Sequence, residues 1–321
     1  MPRQCKRAFV IGVDGARAEA VREADTPNMD AVFDGGVVSY SARTVMPSVS
    51  FPAWSSMFHG VGPEKHQIGE RHPADEDAPW PSFMKLAKQE RPETRCASFS
   101  CWEPVNTHII EPSCECHLVS MPDPELVAAA AEYIRNSTPD VYFMQLDNVD
   151  AAGHSHGYRS QEYLDQVTAT DAHVGIVLDA IRDAGVFDES LIIVLSDHGG
   201  EGKMHGSDHP DCMTTFWGCC GRGIARGVVL DSSVRIMDTA AVVAEALGLP
   251  RPDGWDAQVP RRVFGSGVTR IEYPMGSGHE GRTDELHDVH PRDSSGPPLD
   301  RRPRVPRWDP AVREEGGTVA D

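Results

Sequence analysis

The segment LSDHGGEGKMHG, Leu195–Gly206, places Asp197, His198 and His205 within nine residues of one another. It follows directly on the apolar run LIIVL. A carboxylate and an imidazole that leave a buried strand together are costly to bury unless a partner such as a cation receives them. Aspartate oxygen and histidine nitrogen form the donor set that divalent zinc favours, and manganese or iron accept similar sets. Two other apolar runs end on the same residue types. FVIGVDG ends on Asp14, and VYFMQLDNVD runs into AAGHSHG, with Asp150 and His154 four apart. Asp14 before a glycine is by itself an ordinary turn residue, and D-x-x-x-H alone is a weak pattern. Their joint occurrence carries the argument: three Asp and three His after three apolar runs suffice for two metal sites rich in nitrogen and oxygen.

Such sites need something to activate. VMPSVSFPAWSSMFHG, residues 45–60, is a serine-rich turn followed by a short helical pattern with Pro52 near its start. A serine at a helix N-terminus meets free backbone N–H groups and the positive end of the helix dipole. Capping accounts for such a serine when it stands alone. Beside bound metals, a lowered hydroxyl pKa makes it a nucleophile.

The elements that must position these groups are legible as apolar runs bounded by turn residues: 8–13, 95–100, 141–146 and 191–196. Helical patterns lie between them. TPNMDAVFD has Thr26 as N-cap and Pro27 at the first helical position. DPELVAAAAEYIRN is rich in helix formers, SQEYLDQVTATDAHVGIVLDAIRDAG closes on Gly185, and RIMDTAAVVAEALGLP stops at Gly-Leu-Pro. Strands with little alternation, separated by helices, indicate an α/β fold: a mostly parallel central sheet with helices on both faces. In such sheets functional groups collect at the carboxyl ends of the strands. The reading divides the chain into a domain over 1–275, with room for a small cap-like insertion within 65–118, and a tail over 276–321. That tail is rich in Gly, Pro, Arg and Asp and is expected to be disordered.

The formal net charge of −19 leaves no cationic surplus for a nucleic-acid polymer, though bound cations can reverse the field locally for a phosphate-bearing substrate. The apolar stretch after Lys6 is too short for a signal-peptide core, and no run reaches the length of a membrane span. The expectation is a cytoplasmic protein with no membrane partner. The eight cysteines lack C-x-x-C spacing and are expected to be free thiols.

The set VDG, SFPAWSSMFHGVGPEKH, D-x-x-G-H-S-H-G and SDHGGEGKMHG, in that order over about residues 8–265, resembles the alkaline phosphatase superfamily. Within it the sequence is most similar to the type I phosphodiesterase/nucleotide pyrophosphatase branch. The resemblance implies a metal-dependent hydrolase of phosphoric ester or phosphoanhydride bonds that uses two divalent ions, zinc foremost. One ion would be held by Asp14, Asp197, His198 and the nucleophile, the second by Asp150, His154 and a third histidine. Family patterns T-x-P and S-x-P place the nucleophile at Ser50 rather than Ser48, and imply a seryl-phosphate intermediate. His205 fits relatives with D-H-G-G-x-G-x-x-H-G; His279, in GSGH, is the alternative. The implied substrate is a small phosphorylated molecule such as a nucleotide.

Two departures bear on substrate class. SFPA stands where nucleotide pyrophosphatases carry T-F-P-N, and Arg71 falls where they carry a phosphoryl-binding Asn. An arginine offers two hydrogen bonds and a full charge, which suits a dianionic monoester better than a diester; an exposed loop arginine is the plain alternative. A phosphomonoesterase on the same fold is therefore the rival reading. A sulfatase is disfavoured because Trp54 stands where its C/S-x-P-x-R pattern requires Arg, and the spacing from Ser50 to Asp150 leaves little room for a phosphomutase cap beyond a small one within 65–118. A non-catalytic binding protein of this fold would show a broken ligand set, and no expected ligand is missing. Trp102 and Phe99, in CASFSCWEPVN, are candidates for an aromatic surface against a nucleobase, or for core.

Overall fold

The computed structural model describes residues 3–230 and 234–265. His279 and the tail over 276–321 lie outside the described residues. Eight strands form one sheet: β1 Arg7–Val13, β2 Val37–Arg43, β3 Cys96–Ser100, β4 His117–Val119, β5 Val141–Leu146, β6 Ser190–Leu195, β7 Thr214–Gly221 and β8 Val228–Val229. Their order is β4-β3-β5-β1-β6-β7-β2-β8. Pairing is parallel from β4 through β6, β7 runs antiparallel to both β6 and β2, and β8 is parallel to β2. The sheet is thus mixed and mostly parallel.

Burial on both faces explains the near-continuous apolar strands. Ala8 and Val10 of β1 join one core with the helices Ser50–His59, Phe83–Glu90 and Asp238–Leu247. Phe9, Ile11 and Val13 join the opposite core with the helices Pro27–Asp34, Asp123–Ser137 and Gln161–Asp183. The segment 65–118 contributes β3, which packs into both cores, and Phe83–Glu90, which packs into the first. No described helix is long and apolar enough to cross a membrane.

Register positions the chemistry. β1 sits between β5 and β6, with Val13 opposite Leu146 and Gly12 opposite Leu195. All three strands therefore end at one level, and the residues that leave them are Asp14, the Asp147–Asp150 segment and Asp197. The helix that carries Asp150 and His154, Asn148–His156, is tied down at its start. The buried Asp123 carboxylate accepts from Asp147 N at 3.0 Å and from Asn148 N at 2.9 Å. Asp123, the first residue of the helix Asp123–Ser137, thus anchors the start of another. Thr26 likewise bonds Val21 O rather than capping, although Pro27 does begin the helix.

Candidate metal centre and nucleophile

The sequence-predicted ligands separate into two triads: Asp14, Asp197 and His198, fully buried, and Asp150, His154 and His205, nearer the surface. Within each, one potential ligand atom per residue lies within 4.8 Å of the others. In the first, His198 Nε2 is 3.5 Å from Asp14 Oδ1 and 3.3 Å from Asp197 Oδ2. In the second, His154 Nε2 is 3.2 Å from Asp150 Oδ2 and 3.0 Å from His205 Nε2.

The hydrogen bonds outside the triads fix what faces inward. Each Nδ1 faces a backbone carbonyl: His198 to Gly199 O at 2.9 Å, His154 to Lys203 O at 2.9 Å, His205 to Ser48 O at 3.1 Å. A carbonyl only accepts, so Nδ1 carries a proton and Nε2 is the ring nitrogen available to present a lone pair to the site. The far carboxylate oxygens are also occupied. Asp14 Oδ2 accepts from Trp54 Nε1 and Gln145 Nε2, both at 2.9 Å; Asp197 Oδ1 accepts from Gly15 N at 3.1 Å; Asp150 Oδ1 accepts from the Tyr158 hydroxyl. Asp14 Oδ1 and Asp197 Oδ2, buried beside His198, have no hydrogen-bond partner. Lone pairs therefore converge on lone pairs, an arrangement that burial penalises and that a cation in each triad resolves. Both triads fit a divalent ion held by oxygen and nitrogen.

The electrostatics agree. Burial, then the neighbouring Asp197 charge, pushes Asp14 well above the usual carboxylate range. Burial raises Asp197 to about 7. Burial also lowers His198 and His205, favouring the neutral rings that ligation requires.

Ser50 opens the helix Ser50–His59, and its Oγ lies 3.4 Å from His198 Nε2, the inward-facing atom of the first triad. Ser48 is turned away: its hydroxyl donates to Ser207 O at 2.7 Å while its carbonyl receives His205 Nδ1. Ser55 and Ser56 are buried inside the helix. Phe51 stands edge-on to the half-buried Trp102 at 4.6 Å, so an aromatic pair borders the residue after Ser50. Phe99 is buried in the core. Arg71 is exposed on the turn between the paired Gly69 and His72, with no hydrogen bond or ion pair among the described residues. A separate open cleft of about 720 Å³, lined in part by Met46, Lys65, Arg235 and Trp255, contains no triad residue.

Two consecutive glycines after His198 suggest a tight turn, but their role in the structure is different. Neither Gly199 nor Gly200 has positive φ. What they supply is space: a Cβ on Gly199 would stand 2.1 Å from Asp211 O, and one on Gly200 2.5 Å from the Tyr158 ring. Trp54, Gln145, Tyr158 and Asp123 were not singled out as supports. Gln145 carried a signal, an amide inside the apolar run VYFMQL; Tyr158, on an irregular turn, carried none.

Fold and site together define an α/β protein whose chemistry-bearing groups gather at the strand ends. The sequence model of the type I phosphodiesterase / nucleotide pyrophosphatase family matches residues 8–78 and 77–216, and the chain belongs to that family, within the alkaline phosphatase superfamily. Among curated relatives it is 25% identical over 227 residues to rat (Rattus norvegicus) ectonucleotide pyrophosphatase/phosphodiesterase family member 1, covering 62% of this chain and 25% of the relative. It is 21% identical over 213 residues to bovine (Bos taurus) bis(5'-adenosyl)-triphosphatase ENPP4, covering 60% of this chain and 47% of the relative. The chain thus spans between a quarter and a half of the length of these relatives. Among solved structures, an inactive variant of murine ectonucleotide pyrophosphatase / phosphodiesterase 5 in complex with AMP superposes with a TM-score of 0.62 at 14% identity, over 77% of this chain and 96% of that one. That likeness establishes the fold.

Proposed function

We propose that the protein is a two-metal phosphodiesterase/nucleotide pyrophosphatase with Ser50 as nucleophile. Asp14, Asp197, His198 and Ser50 would hold one ion, and Asp150, His154 and His205 the other, with zinc the ion best matched to the donor set. The carrying observation is the pair of inward-facing lone-pair triads, one of them 3.4 Å from the Ser50 hydroxyl. When bound, such ions lower the pKa of the serine hydroxyl and neutralise charge developing on phosphoryl oxygens.

The remaining roles fall to the chain. Ser50 Oγ, its proton released to solvent, attacks phosphorus in line; the P–O bond to the leaving group breaks as the bond to Oγ forms, and the departing oxygen takes a proton from water. Water then attacks the seryl phosphate, breaking the Oγ–P bond, restoring the Ser50 hydroxyl and releasing the phosphate product. The Ser50–His59 helix directs its dipole and free N–H groups at this point. Neutral His198 and His205, each locked by its Nδ1–H bond, keep their orientation throughout. Phe51 and Trp102, packed edge-on, offer an aromatic border beside the nucleophile that suits contact with a nucleobase. The adenosyl substrate in the name of one relative and the AMP bound to another are consistent with that surface. Arg71, exposed and without a hydrogen bond or ion pair among the described residues, carries the charge and paired donors that suit a dianionic phosphate, which keeps a phosphomonoesterase as the second reading.

The test compares zinc-loaded wild type and Ser50→Ala on a p-nitrophenyl phosphate monoester and on the p-nitrophenyl ester of a nucleoside 5'-monophosphate. Diester preference, lost in Ser50→Ala, is the expected result. Monoester preference that falls with Arg71→Ala would move the protein to the phosphatases, and no Ser50-dependent cleavage would reject the enzymatic reading.

A further inference from the structure

Gln145 is fully buried in β5 and uses its entire hydrogen-bonding capacity. Its Nε2 donates to Asp14 Oδ2 and to Asp147 Oδ1, both at 2.9 Å. Its Oε1 accepts from Ser100 Oγ at 3.0 Å and from Trp102 N at 2.8 Å. The partners fix the amide's orientation, because the carboxylates face the NH₂ end and the Trp102 N–H can only donate. On one side, the same Asp14 presents Oδ1 toward His198 in the first triad. On the other, Trp102 packs on Phe51, the residue after Ser50. One planar side chain without a spare bond therefore joins the first triad to the aromatic wall.

We infer that Gln145 is a positioning residue that couples the first metal centre to the Trp102–Phe51 surface. The inference rests on the metal-binding reading of Asp14, Asp197 and His198. When Asp14 Oδ1 gains a ligand, the carboxylate settles about that bond and its Oδ2 shifts against Gln145 Nε2. The four short bonds leave the amide no slack, so Trp102 N and its ring move with it. The coupling is reciprocal: a ligand that repositions Trp102 alters the affinity of the first centre by the same factor. Trp54 also bonds Asp14 Oδ2, but it reaches the aromatic pair only through the backbone of the helix Ser50–His59, three residues on from Phe51. Gln145 differs in bonding Asp14 and Trp102 N directly through one side chain.

The experiment measures zinc affinity by chelator competition in a His154→Ala/His205→Ala background, where only the first centre remains, with and without Gln145→Met. Methionine keeps the unbranched shape and removes all four bonds. The expected result is a natively folded variant, by circular dichroism, whose zinc affinity is lower by about 10- to 100-fold. Tryptophan emission supplies the readout that a purely structural role would not move. Zinc should change a component of wild-type emission that Trp102→Phe removes, and Gln145→Met should abolish that component. Unchanged affinity in folded Gln145→Met, or a zinc-dependent emission change identical in wild type and Trp102→Phe, would overturn the coupling. The second comparison holds even if Gln145→Met does not fold. Failure of wild type to bind zinc at all would instead remove the metal reading on which the inference stands, so the two failures are distinguishable.

Discussion

Tyr158→Phe isolates one bond of the second centre. The Tyr158 ring is buried, held between Gly153 and Gly200, where a Cβ on either would come within 2.5 Å of it. Phenylalanine keeps that ring and removes only the hydroxyl that donates to Asp150 Oδ1. A hydrogen bond to a charged partner contributes about 1.5–3 kcal/mol, and the substitution leaves Asp150 Oδ1 without that donor. For a chain of this size a loss of about 2 kcal/mol lowers the melting temperature by roughly 3–4 °C. The bond also orients Asp150 so that Oδ2 faces His154 and His205, at 3.2 and 3.8 Å. Loss of such an orienting bond weakens metal binding by about 10- to 100-fold. Calorimetric melting of metal-free protein and a chelator-competition titration resolving two zinc sites would check both. The expectation is a lower melting temperature and one weakened zinc site, the other unchanged. Two zinc affinities equal to wild type would refute the assignment of Tyr158 as the support of Asp150.

Gly200→Ala should cost about 1–3 kcal/mol, because its Cβ would stand 2.5 Å from the Tyr158 ring with no room to retreat; urea unfolding of the variant checks this. His66 gives a pH dependence. Burial holds its imidazole at about 3, well below the 6.5 of a free histidine, while its Nδ1 accepts from Ile68 N and its Nε2 meets Ser56 Oγ. The unfolded chain takes up a proton below pH 6.5 that the folded chain refuses, so this contribution is complete above that pH and declines as pH falls toward 3. At pH 5 the loss is about 2 kcal/mol, and His66→Gln should flatten that part of the profile measured by denaturant unfolding between pH 7 and 5.

The strands that carry the site were legible because burial on both faces leaves an apolar signature that needs no knowledge of neighbours. β1, β3, β5 and β6 were expected at 8–13, 95–100, 141–146 and 191–196 and lie within one residue of those bounds. β7 and β2, which complete the antiparallel side, were not recognised: TTFWGCCG and VVSYSAR mix small and polar residues whose burial depends on which strand pairs beside them. The ligand residues could be read because they follow strand ends, and parallel register brings those ends to one level. Their supports were hidden, since each depends on a distant partner. Asp123 reaches the start of a helix 24 residues on, and Gln145 reaches Asp14 across 131 residues. Gly199 and Gly200 show the same limit: a glycine pair suggests backbone freedom, whereas packing here requires the missing Cβ.

Equilibrium zinc binding with triad variants tests the central claim most directly. Metal-stripped protein dialysed against zinc and analysed by elemental mass spectrometry should hold two ions per chain. His154→Ala/His205→Ala should hold one, and Asp14→Asn/His198→Ala the other, each while retaining native circular dichroism. Less than one ion on wild type after reconstitution, or two ions on a folded variant lacking either triad, would contradict the account.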